Sequence, residues 1–109
     1  MALSHATPGQ AIDIRPAAAD PDGERTVALF KSRDLEVMRL VLAAGKGLPP
    51  HKVAGEITVQ CVSGQLAVDT VAGRHELQAG QLLYLEREVV HDVRALQDSI
   101  ALVTVALRG

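Results

Sequence analysis

The sequence is poor in aromatic residues: it has no tryptophan, and Phe30 and Tyr84 make up its 2%. So few flat rings cannot build the stacking platform on which single-stranded nucleic acids are held. Excess positive charge is lacking as well. Against 11 lysines and arginines stand 13 aspartates and glutamates, a net charge of −2, which offers no electrostatic footprint to a polyanion or an anionic membrane surface. Cys61 is the one cysteine; an internal disulfide is excluded, and a reducing compartment fits. Long hydrophobic runs are missing too. The stretch "IALVTVAL" falls well short of the roughly 20 residues that span a bilayer. The opening "MALSHATPGQ" has neither the basic nor the apolar region of a secretory signal. The reading is a cytoplasmic protein that engages neither nucleic acid nor membrane.

What remains is an ordinary globular composition, 48% hydrophobic and 22% charged over 109 residues, enough for one core and too little for two. Apolar residues alternate with polar ones in short pieces separated by glycine and turn residues, and no long window carries a helical period. The spacing predicts strands at Arg25 to Ser32, Leu35 to Gly45, Glu56 to Gly64, Gln65 to Gly73, "RHELQ", Leu82 to Glu86, His91 to Leu96 and Ser99 to Arg108. "AIDIRP", Ala11 to Pro16, reads as a short edge strand that ends at a proline unable to donate to a ladder. Many short strands in one small domain predict an all-β, antiparallel jelly-roll barrel, a closed form that hides sheet edges. The chain divides into an N-terminal segment, residues 1–24, and a barrel, residues 25–109. The segment is too short to be stable without a neighbour, and a homodimer through it is expected.

Glycines and histidines recur at two spaced sites. Gly45 precedes His51 with five residues between, and Gly64 follows; Gly80, "QLLYL" and His91 make a second set. This frame resembles the cupin superfamily, whose first motif is G-x5-H-x-H-x(3,4)-E-x6-G and whose second is G-x5-P-x-G-x2-H-x3-N. In the first, Val53 stands for the second histidine and Ile57 for the glutamate, with Glu56 one place early. In the second, Glu86 stands for the proline, Glu88 for the glycine and Ala95 for the asparagine. The resemblance covers about Leu35 to Leu107 and implies a double-stranded β-helix of the RmlC-like cupin kind.

The resemblance aims His51 and His91 into one end of the barrel, where two imidazoles would hold a divalent ion (zinc, iron, nickel or manganese) or simply line a pocket. Both readings stay open. A two-histidine site for non-haem iron needs a carboxylate on the same face, and only Glu56, or the neutral Gln60, is near in sequence. Strand parity turns both away from His51 unless a bulge at Gly55 reverses it. Val53, Ile57, Val59 and Cys61 are expected to line the pocket, with Tyr84 as a phenol of unfixed facing. Cys61, in an apolar strand without a cationic neighbour, reads as a small hydrophobe. His75, in a polar hairpin, reads as solvated, and His5 lies in a terminus. The sequence thus predicts a small-molecule-binding barrel with a depleted metal site, no assigned catalytic residue, and otherwise no cofactor. The competing reading is a metal-dependent dioxygenase or isomerase using His51, His91 and a displaced carboxylate.

Overall fold

A computed structural model of the chain describes residues 6–15 and 26–107. Among the described residues there are strands and no helix: β1 (Val27–Lys31), β2 (Leu35–Leu42), β3 (Gly47–His51), β4 (Ile57–Ser63), β5 (Gln65–Thr70), β6 (Gly73–Gln78), β7 (Leu82–Leu85), β8 (His91–Ala95) and β9 (Ser99–Ala106). No described helix is therefore long and apolar enough to cross a membrane. All pairings are antiparallel, in a five-stranded sheet ordered β1-β2-β9-β4-β7 and a four-stranded sheet ordered β3-β8-β5-β6. The all-β jelly roll read from the apolar spacing is the fold observed.

Period-two alternation decides which residues build the core. Along β9, Ser99, Ala101, Val103 and Val105 are buried, and the residues between them are half-buried. On β4 the buried set is Ile57, Val59 and Cys61. Register aligns these sets into rows across the sheet, Met38 with Val103 and Val59, and Leu40 with Ala101 and Cys61. The four-stranded sheet answers with Leu66 and Val68 of β5 beside Ala95 and Val93 of β8. Leu40, Leu66, Val59 and Val68 are wholly buried, and each such side chain contributes about 1.5–3 kcal/mol of hydrophobic stabilisation.

The β4–β5 connection shows why its punctuation is glycine. Gly64 has φ of 82°, a left-handed conformation that disfavours any side chain, and a Cβ there would land on the carbonyl oxygen of Asp98 and the hydroxyl of Ser99.

Two expectations for local structure need revision. β3, "GLPPH", contains Pro49 and Pro50 and is absent from the sequence-based assignment. It is a strand because it lies at the edge of its sheet and pairs only with β8, so the missing proline N–H groups break no second ladder. In the N-terminal segment, Ala11 to Arg15 carry no strand pairing; the tie to the barrel is the Ala6 N–H donating to Leu29 O at 3.0 Å. Pro16 to Arg25 lie outside the described residues, as do His5 and Arg108.

Candidate functional site

β3 and β8 are neighbours, and their register places His51 opposite His91. The two imidazole rings have centroids 4.5 Å apart, tilted by 52°. His91 is 4% exposed, whereas His51 is exposed. Each ring is oriented by its own backbone: His51 Nδ1 lies 3.2 Å from Pro49 O, and His91 Nδ1 lies 2.9 Å from Val89 O. A carbonyl only accepts, so Nδ1 carries the hydrogen in both rings, and in the neutral form the lone pair sits on Nε2.

Behind the histidines lies a cavity of about 180 Å³ between the two sheets. Met38, Leu40, Ile57, Val59, Val103 and Val105 form one wall, and Leu48 and Val93 part of the other. Val53, on the link from β3 to β4, and Thr26, ahead of β1, complete it with the two histidines. No charged side chain is among these residues. Val53 and Ile57, at the positions where the resembled motif has a histidine and a glutamate, both face the cavity and bring no donor atom.

Glu56 faces the other way. It is exposed and accepts a hydrogen bond from the Tyr84 hydroxyl on the outside of the five-stranded sheet, and this bond holds the Tyr84 phenol above its ordinary range. Gly55 forms no bulge that would rotate Glu56 inward; a Cβ there would strike Ala106 O, and the close approach continues with the Ala106 N–H donating to Glu56 O at 2.9 Å. Gln60 has the same outward parity, between the inward Val59 and Cys61. The expected third ligand, Glu56 or Gln60, therefore does not join the histidine pair. Among the described residues, no group of three His, Cys, Asp or Glu side chains is arranged to hold a metal ion. Two imidazoles fall one donor short of the two-histidine, one-carboxylate face, and the residues present do not fit a resident iron of that kind.

Of the expected lining residues, Val53, Ile57 and Val59 border the cavity and two do not. Tyr84, 54% exposed, stands on the outer surface of β7. Cys61 is fully buried but lies further along the core, its thiol 3.4 Å from Ser63 O, and burial pushes the thiol up from its ordinary value. It stays protonated at neutral pH. His75, expected to be solvated, is half-buried, its Nε2 3.4 Å from Thr70 Oγ1, because it shares inward parity with buried Leu77. The signal in the sequence is its place two residues before Leu77 on one strand.

The loop from β7 to β8 fixes the mouth. Glu88 has φ of 63°, a conformation that costs a non-glycine residue about 1–2 kcal/mol, and it is pinned there by its N–H donating to Val53 O at 2.9 Å. The backbone that sets His91 thus grips the segment that follows His51. Glu88→Gly is expected to relieve the strain; after the added freedom of glycine in the unfolded chain is subtracted, a net gain of roughly 0.5–1 kcal/mol remains. Urea unfolding of the two proteins checks this through the midpoint.

The fold has known counterparts. A conserved protein of unknown function from Streptococcus pyogenes superposes with a TM-score of 0.77 at 15% identity, covering 100% of this chain and 96% of that one. An RmlC-like cupin protein from Desulfovibrio desulfuricans gives 0.69 at 22% identity, covering 96% and 97%. An RmlC-like cupin family protein with a double-stranded β-helix fold, from Methanocaldococcus jannaschii, gives 0.68 at 17% identity, covering 80% and 84%. No match was found among curated proteins. The sequence profile of the cupin domain matches residues 38–107. With most of its barrel covered by that profile, the chain belongs to the cupin family.

Proposed function

We propose that this cupin binds a compact, largely apolar small molecule in its barrel and does so without a resident catalytic metal. The observation that carries the reading is the pair Val53 and Ile57, which line the cavity beside His51 and His91 while Glu56 points outward to Tyr84. A small concave site with aliphatic walls and a few convergent polar atoms is what a small-molecule site requires. The polar atoms here are the histidine nitrogens at one end. Hydrolytic or oxidative metal chemistry would need more donors than the pair supplies.

Metal content and ligand response test the proposal together. Freshly purified protein is expected to hold well under one equivalent of any transition metal per chain by elemental analysis. A panel of single-ring and short-chain compounds is expected to raise the unfolding midpoint for a few members, since a ligand at 100 times its Kd stabilises by about 2.7 kcal/mol. A full equivalent of tightly held iron, zinc, nickel or manganese would overturn the reading.

A further inference from the structure

We infer that the cavity takes a neutral, single-ring aromatic alcohol of the phenol class, with its O–H donating to His91 Nε2. The inference rests on the small-molecule reading above and names the ligand class for that same cavity. Its first support is the hydrogen-bond polarity of the site. Nδ1–H of His91 is committed to Val89 O and that of His51 to Pro49 O. Each neutral ring therefore presents a lone pair at Nε2, and neither Nε2 has a partner among the described residues. The site asks for a donor. Solvent reaches both Nε2 atoms; His51 is exposed, whereas His91, 4% exposed, sets its ring against the cavity, where a ligand hydroxyl can take the place of the water on its lone pair.

The walls narrow the class further. No lysine or arginine lines the cavity, so a carboxylate or phosphate would meet no fixed positive charge there. A sugar would leave several hydroxyls facing Leu40, Val59, Val93 and Val103 with no partner. One hydroxyl at one end of an otherwise apolar body matches the wall. Size then suits the body: an aliphatic-lined cavity of about 150 Å³ holds a benzene, and the 180 Å³ here accommodates one ring with a hydroxyl. Met38 at the wall favours an aromatic ring over a saturated one, because a thioether sulfur interacts well with a ring edge.

Titration calorimetry at mildly alkaline pH, with phenol, toluene and benzoate as probes, tests the inference on the intact chain. Toluene keeps the shape and replaces the hydroxyl by methyl. Phenol is expected to bind about tenfold tighter than toluene, the worth of one hydrogen bond, and benzoate more weakly than either. In His91→Leu, phenol is expected to fall to the affinity of toluene while toluene itself is retained, a readout that also reports an intact cavity. The wild-type comparison stands if that variant does not fold. Equal binding of phenol and toluene, or tighter binding of benzoate, would overturn the phenol assignment and leave the small-molecule reading in place. No binding of any probe, with no response in the wider thermal panel, would overturn both.

Discussion

Val53→His is expected to turn the cavity into a three-imidazole site and to raise affinity for zinc or nickel by roughly 100-fold or more, since disturbing even an outer-shell partner of a metal ligand changes affinity by about 10–100-fold. Residue 53 lines the same cavity as His51 and His91, and its carbonyl is already held by the Glu88 N–H, so the new ring would be carried on a fixed segment. The two native rings are oriented through Nδ1 as metal-binding histidines usually are, with Nε2 free. Three neutral imidazoles with an open fourth position are a sufficient set for zinc. Calorimetric titration of wild type and Val53→His reads the effect directly, and His51→Ala in the Val53→His background should remove it. Equal affinities in wild type and Val53→His would mean that a side chain at 53 cannot reach the histidine pair, which would refute the assignment of residue 53 to the lost ligand position.

Leu66→Ala is expected to be the most damaging conservative truncation in the four-stranded sheet, at about 3 kcal/mol within the 2–5 kcal/mol range for such changes. Leu66 is wholly buried, and its register partners on the inward face are Ala95 and Leu77. Ala95 is too small to fill the gap, so the void stays open. For a domain of this size the midpoint of thermal unfolding should fall by on the order of 10–20 °C. A loss below about 0.5 kcal/mol, the size of a surface change, would show that the packing around Leu66 collapses to fill the space.

β4 was legible because its two faces differ: "EITVQCVSG" alternates, and the residues expected inward are the buried ones, whereas "SIALVTVALR" carries apolar residues on both faces and reads as a strand by its short length and β-branched residues. Glu56 points outward as expected, but the chain bends at Ala54 and Gly55 between β3 and β4, so its facing follows from its place just ahead of the inward Ile57 and not from a parity carried over from His51. β3 was not legible. Two prolines read as a loop until the neighbouring strand is known, since only its edge position makes them acceptable. Tyr84 could not be placed because β7 is a four-residue edge strand, "LLYL", with apolar residues on both faces. The tautomers of the histidines lay beyond the sequence altogether. They depend on where Pro49 O and Val89 O point, a matter of backbone geometry rather than residue type.

The prolines of β3 have an effect on assembly. A strand at the rim of a sheet normally offers its unused N–H and C=O groups to any extended chain that drifts past, which is how peptides dock by adding a strand and how folded domains begin to aggregate. β3 carries His51 at one such rim, with β8 on its only paired side. Pro49 and Pro50 supply no N–H along it, and the register with β8 is broken between Leu48 and His51. A passing strand therefore finds no continuous ladder to join beside the histidines. The two prolines thus close this rim to an added strand beside the residues that border the cavity, His51 and Val53 among them.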